Sequence, residues 1–236
     1  MDDETQLTEQ KNELEDTFIF SFIHDIKNMM APITSRVEML ETMEMGREEE
    51  KETLRQIGSS CDAVMEVLNR MLKIYRTRTH MDAYTPRKAD LSFVIIIVMD
   101  VMEERAKNKG IEIKNEVPDG CMVFTDREAI LGVIVNLVGN AVKFTHKGGK
   151  IKISTVEEGD KIRVKVSDNG VGIDEEKITA LLERNKYFNT PGTEGELGCG
   201  FGLLLCDSHL RRGGSRLEFA NNADGGATFS FLLRKA

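Results

Sequence analysis

The chain has 236 residues, a net charge of −8, 40% apolar and 31% charged residues, and no Trp, the composition of a globular protein with room for one large domain or two small ones. The acidic balance argues against general nucleic-acid binding, and the longest apolar run, Phe93–Met99, falls far short of the roughly 20 residues that span a bilayer. An acidic Met1-Asp-Asp-Glu-Thr5 is no secretory leader, and the widely spaced Cys61, Cys121, Cys199 and Cys206 form no C-x-x-C pair. A reduced, cytoplasmic setting without membrane segment or structural zinc is therefore expected.

From Leu7 to about Arg78 the apolar residues repeat at helical spacing. Ile19, Phe22, Ile26, Met29, Ile33, Val37 and Leu40 mark one stripe. Leu54, Ile57, Cys61, Val64, Leu68, Met71 and Tyr75 mark a second, alternating steps of three and four. Met45-Gly46-Arg47 is a short connection with a helix-stopping Gly, so the two helices are predicted to run antiparallel as a hairpin over residues 1–78. A lone hairpin cannot bury both seams. A homodimeric four-helix bundle through residues of about 7–78 is the expected form.

Residues 79–88, with Pro86, read as a linker, and an α/β texture follows over 89–236. Strands are predicted at Ile111–Val117, Lys150–Val156, Lys161–Ser167, Ser215–Phe219 and Ala227–Leu232. Helices are predicted at about Leu91–Lys109, Asp126–Thr145, Asp174–Leu182 and Phe201–Arg212. Hairpin strands interleaved with helices imply a sandwich, with helices layered on one face of a mixed sheet.

Within the helix predicted at 126–145, Asn136, Asn140 and Lys143 fall inside roughly a 60° arc, and apolar residues fill most of the remainder. Amide oxygens suit Mg²⁺ and a lysine suits phosphate, although an ordinary solvated stripe would carry the same residues. Ser167-Asp-Asn-Gly-Val-Gly-Ile173 then joins a strand to a helix. Asp168 there can accept from an exocyclic amine such as that of adenine, and Gly170 and Gly172 allow close backbone approach. A plain turn would use the same residues. Gly198-Cys-Gly-Phe-Gly-Leu203 opens a helix whose N-terminal N–H groups suit phosphate, but it matches neither a Walker loop nor a dinucleotide fingerprint. The stretch from Arg184 to Leu197 before it reads as a long lid. On the first helix, His24 and Asn28 lie at about 200° and 240° from Phe22, off the apolar stripe and on one face.

These segments closely resemble a two-component sensor histidine kinase over about Phe18 to Leu233. Phe22-Ile-His-Asp-Ile-Lys-Asn28 resembles the H box, Asn136–Thr145 the N box, Asp168–Ile173 the G1 box, Tyr187-Phe188 the F box and Gly198–Leu203 the G2 box. The resemblance implies a dimerisation and phosphotransfer hairpin followed by a Bergerat-fold ATPase domain. It implies His24 as phosphoacceptor with Asp25 holding the other ring N–H, and ATP and Mg²⁺ as cofactors, the metal at Asn140. Asn136, Lys143, Phe144, Asp168, Gly170, Gly172, Ile173, Tyr187, Phe188, Gly198, Gly200, Phe201, Gly202 and Leu203 are implied to form the nucleotide pocket. A response-regulator receiver domain is the implied partner. The pattern His24-Asp25-x-x-Asn28 implies a phosphatase back-reaction as well. Many members carry Pro five residues after the His; here Met29 stands there and Pro32 follows, displacing any bend by about one turn. An inactive phosphotransfer module of the same fold, and a serine kinase or conformational ATPase of the Bergerat class, are the competing readings. The intact Asn, Asp and Gly positions favour the kinase over the first, and the H-box segment favours it over the second.

Overall fold

The computed structural model describes residues 26–78, 84–184, 190, 192–194, 196 and 202–236. The chain divides into two compact units between Ile74 and Tyr75.

In the first unit, helix α1 covers 26–42 and is followed by helix α2 (Arg47–Arg78), whose last four residues pass the unit boundary. The connection is 43–46, and Arg47 is already helical. Gly46 does not cap the first helix as expected: its carbonyl accepts from Glu50 N at 2.9 Å, which opens α2. Arg36 Nε donates to Gln56 Oε1 at 3.0 Å, tying the two helices across the turn. The predicted seam is only partly covered within one chain. Val64 is buried and Ile26, Met29, Ile33, Leu40 and Ile57 are half-buried, whereas Val37, Leu54 and Cys61 are exposed. Met71 and Tyr75 lie in α2 with side chains outside the described set, and Ile19 and Phe22 lie outside the described residues.

The second unit is a sheet with helices on one face. Its described elements are β1 (Arg87–Asp90), α3 (Leu91–Asn108), β2 (Glu112–Glu116), β3 (Met122–Thr125), α4 (Arg127–Phe144), β4 (Lys150–Glu158), β5 (Lys161–Asp168), α5 (Glu175–Arg184), α6 (Gly202–Arg212), β6 (Glu218–Asn221) and β7 (Ala227–Lys235). The strand order is β1-β3-β7-β5-β4-β2, with β6 also on β7, and β2 pairs β4 in parallel while the other pairs are antiparallel. Two short strands, β1 and β3, are absent from the sequence-based expectation. β1 begins at Arg87, inside the segment read as linker.

Alternation decides which face is buried. Ile151 and Ile153 of β4, Ile162, Val164 and Val166 of β5, and Phe229, Phe231 and Leu233 of β7 point into the core. Lys150, Lys152, Lys161, Arg163 and Lys165 take the other face. On that face Arg163 is held between Glu158 and Glu218. Helix α4 is the spine of the core: Val133, Ile134, Leu137 and Val138 are at most 1% exposed, so its few polar side chains have little bulk water to face. Among the described residues no helix is long and apolar enough to cross a membrane.

Helix α4 starts where Asp126 Oδ1 accepts from Glu128 N at 3.1 Å and Ala129 N at 3.2 Å, while Oδ2 accepts from Thr85 N at 2.9 Å. Partial burial works to raise this carboxyl, but the N–H donors of Thr85, Ala129 and Glu128 outweigh it and hold it below the ordinary carboxylate range. The resulting stability is complete above the unfolded-state value and is lost as pH falls through the lowered one. Asp126→Ala is expected to cost about 1–2 kcal/mol at neutral pH, read as a lower urea midpoint, with the difference from wild type shrinking in acid.

Candidate nucleotide-binding site

Asn136, Asn140 and Lys143 fall along one stripe of α4, and each is half-buried. The N-terminus of α6 lies against that stripe: a Cβ at Gly202 would stand 3.5 Å from Asn136 Oδ1 and 4.0 Å from Asn140 Nδ2. Two amides and a helix N-terminus thus meet in one place, with Lys143 about one turn further along the same stripe, which suits a polyphosphate. The amide oxygens also fit Mg²⁺, a hard cation that keeps water and phosphate oxygens for most of its ligands. Asn140 and Asn136 would hold it. Among the described residues no cluster of three or more His, Cys, Asp or Glu could hold a metal by itself.

Asp168 ends β5, and parity explains its setting. It continues the inward register of Ile162, Val164 and Val166, so the strand places a carboxylate on the core-facing side of the sheet. Burial pushes this carboxyl above its ordinary value, against the pull of N–H donors from Gly170 at 2.9 Å and Ala227 at 3.2 Å. Both donors use Oδ1. Among the described residues Oδ2 is left for a ligand.

The loop after Asp168 is fastened on several sides. Val171 N donates to Phe144 O at 3.1 Å, tying the loop to the end of α4. A Cβ at Gly170 would stand 2.2 Å from that same carbonyl, so only glycine permits the approach. Asn221 Oδ1 accepts from Ile173 N at 2.8 Å and its Nδ2 donates to Ile173 O at 3.0 Å. Asn222 Nδ2 donates to Asp168 O at 2.8 Å. Gly226, at φ +83° and with no space for a Cβ beside Asp168 O, closes the turn behind them.

Of the residues expected from sequence, Asn136, Asn140, Lys143, Phe144, Asp168, Gly170, Gly172, Ile173, Gly202 and Leu203 lie on these joined elements. Leu203 is buried in the first turn of α6. Asn28 is exposed on α1, in the other unit. His24, Asp25, Tyr187, Phe188, Gly198, Gly200 and Phe201 lie outside the described residues. The supporting pair Asn221-Asn222 was not anticipated, although Asn-Asn-Ala-Asp-Gly-Gly226 is a turn sequence that could have drawn attention. Lys109 and Glu196, paired at the C-terminal carbonyls of α4, carry no motif that would single them out.

Residues 125–236 match the family model of the histidine kinase-, DNA gyrase B- and HSP90-like ATPases. The sandwich and its stripe thus define an ATPase domain of that class. The sensor protein KdpD of Clostridium acetobutylicum is 28% identical over 96% of the chain, which spans 25% of that protein's length. The catalytic domain of the histidine kinase ThkA is 30% identical, with a TM-score of 0.55, over 64% of this chain and 98% of that domain. ThkA in complex with the response regulator protein TrrA shares the fold over 97% of this chain and 64% of that one, at 21% identity and a TM-score of 0.72. The chain belongs to the sensor histidine kinase family and carries its catalytic core.

Proposed function

We propose that this chain is an ATP-dependent protein-histidine kinase that phosphorylates its own His24 and passes the phosphoryl group to an aspartate of a response regulator. One observation carries the reading: Asn136 and Asn140 of the stripe face the N-terminus of α6, and the loop led by the half-buried Asp168 is bonded to the end of the same helix. In this reading Asp168 Oδ2 accepts from the adenine amine. Lys143 and the α6 N-terminus hold phosphate oxygens, and the amides of Asn140 and Asn136 hold Mg²⁺, which neutralises phosphate charge when bound. Tyr187, Phe188, Gly198, Gly200 and Phe201 complete the pocket by family resemblance.

The neutral imidazole of His24 attacks the γ-phosphorus in line. The bond from that phosphorus to the β–γ bridging oxygen breaks, and ADP leaves with the electron pair. Asp25 holds the second ring N–H, fixing which nitrogen is nucleophilic, and stabilises the imidazolium as it forms. The product is a phosphoramidate, a donor reactive enough to phosphorylate a carboxylate. Asn28, four residues after His24 in sequence, would orient water for the reverse dephosphorylation of the regulator.

We assign residues 1–78 to dimerisation and phosphotransfer, 79–88 to a linker and 89–236 to nucleotide binding, with the enzyme acting in the cytoplasm. Exposed Val37 and Leu54 on the seams of the single chain support a homodimer, because a second copy would cover them. A receiver domain as partner is supported by ThkA, which has been seen with TrrA. The experiment is incubation with γ-labelled ATP and Mg²⁺, followed by mapping of the labelled residue. Label on His24 is expected. Bound ATP with no label at all would leave the inactive phosphotransfer module instead.

A further inference from the structure

We propose that Lys109 and Glu196 form a clasp that positions the ammonium group of Lys143 for phosphate, an inference that rests on the nucleotide-site reading above. Lys109 lies just beyond α3, and 4% of its side chain is exposed. Its three donors are all engaged: Nζ donates to Val142 O and Lys143 O at 2.9 Å each, and to Glu196 Oε1 at 2.7 Å. The carbonyls are the C-terminal acceptors of α4, where a cation is favoured by the helix dipole but a buried one still needs an anion. Glu196 supplies that anion.

Glu196 in turn organises a short strap, whose described residues are Thr190, Gly192, Thr193, Glu194 and Glu196 itself. Its Oε2 accepts from Glu194 N at 2.8 Å and its carbonyl accepts from Gly192 N at 2.9 Å. Thr193 N donates to Lys143 O at 3.1 Å, and the Thr193 hydroxyl lies 3.0 Å from Thr145 O. Burial works to raise the Glu196 carboxyl, but Lys109 and the nearby N–H groups outweigh it and keep it below its ordinary range.

This strap bears directly on Lys143. Thr190 O accepts from Lys143 Nζ at 2.7 Å, and a Cβ at Gly192 would stand 2.7 Å from Lys143 Cγ. The strap therefore lies along the lysine stem and holds one of its three donors. Lys109 cannot move without stranding the buried Val142 carbonyl and losing its bond to Lys143 O, so it is the fixed half of the clasp, and Glu196 brings the strap to it. Lys109 and Glu196 are positioning residues, acting on phosphate only through Lys143.

The test measures ATP and adenosine affinity by calorimetry on the full chain. Glu196→Gln, at a partly exposed site, keeps the shape and removes the charge; Lys109→Met is the companion variant. Each is expected to weaken ATP about fivefold, to leave adenosine unchanged, and to have no further effect in a Lys143→Met background. Unchanged ATP affinity in Glu196→Gln overturns the clasp. So does an equal loss for adenosine, or a loss that persists without Lys143, since each would mark a merely structural role. Failure of the wild type to bind either ligand is a different result, and it overturns the nucleotide-site reading together with the clasp.

Discussion

Incubated with γ-labelled ATP and Mg²⁺, the wild-type chain is expected to take up label that is lost in acid and survives base, and His24→Ala to take up none. The stability pattern follows from the bond. A phosphorus–nitrogen link breaks when its nitrogen is protonated, whereas a serine ester resists acid and is eliminated in base. The loss in His24→Ala has a chemical cause, because alanine is the best helix former and His24 falls off the apolar stripe by pattern. Asn140→Ala is the complementary variant. It keeps the acceptor and removes a half-buried amide from the stripe, with an expected fall in labelling rate of about 10²–10³-fold, as for loss of one transition-state charge stabiliser. Its urea midpoint should move little, since the side chain is not part of the apolar core. Label of normal amount on His24→Ala would sink the phosphoacceptor assignment, and a normal rate in Asn140→Ala would remove the metal role given to that amide.

How far the fold could be read from the sequence depended on how much hydrophobic contrast each element carries. α4 was legible because, past its first turn, an almost wholly apolar helix leaves Asn136, Asn140 and Lys143 conspicuous. β5 was legible because Ile162, Val164 and Val166 alternate with charged neighbours. β1 and β3 are four residues each, too short to establish a period. Arg87-Lys-Ala-Asp90 has one apolar residue, and it becomes a strand through pairing with β3 rather than by propensity. Gly46 illustrates a different limit. A glycine between two helices marks a break, but its place at the end of one or the start of the next is settled by which backbone group its carbonyl pairs with, here the N–H of Glu50. In the site, the residues bearing chemistry were legible because Asn, Asp and Gly are costly on buried faces unless something uses them. Their supports were not. Asn222 reaches Asp168 across 54 positions and Glu196 reaches Lys109 across 87, contacts made by tertiary packing that leave no local pattern.

Asp168→Asn is expected to weaken ATP about 10²–10³-fold while making the domain slightly more stable. Gly170 N and Ala227 N both point at Oδ1, so an asparagine must turn its carbonyl oxygen toward them. Its NH₂ then occupies the position of Oδ2 and meets the adenine amine donor to donor, leaving both unsatisfied in a half-buried site at a cost of about 3–4 kcal/mol. A purine with a carbonyl in place of the amine finds a donor there instead, so ITP should gain on ATP in direct competition. Stability moves the other way, because burial raises the folded-state value of the Asp168 carboxyl. A group of that kind favours the fold below its unfolded value and loses that contribution as pH rises through the raised one; at neutral pH the ionised Asp168 is therefore a burden on the fold. Asparagine carries no charge to desolvate. A rise of about 2 °C in melting temperature is expected at pH 7, disappearing as the pH is lowered into the carboxylate range. A site built for binding at the expense of folding should show both changes together. Unchanged ATP affinity, or an ATP-to-ITP ratio that does not move, would mean that Asp168 does not read the base.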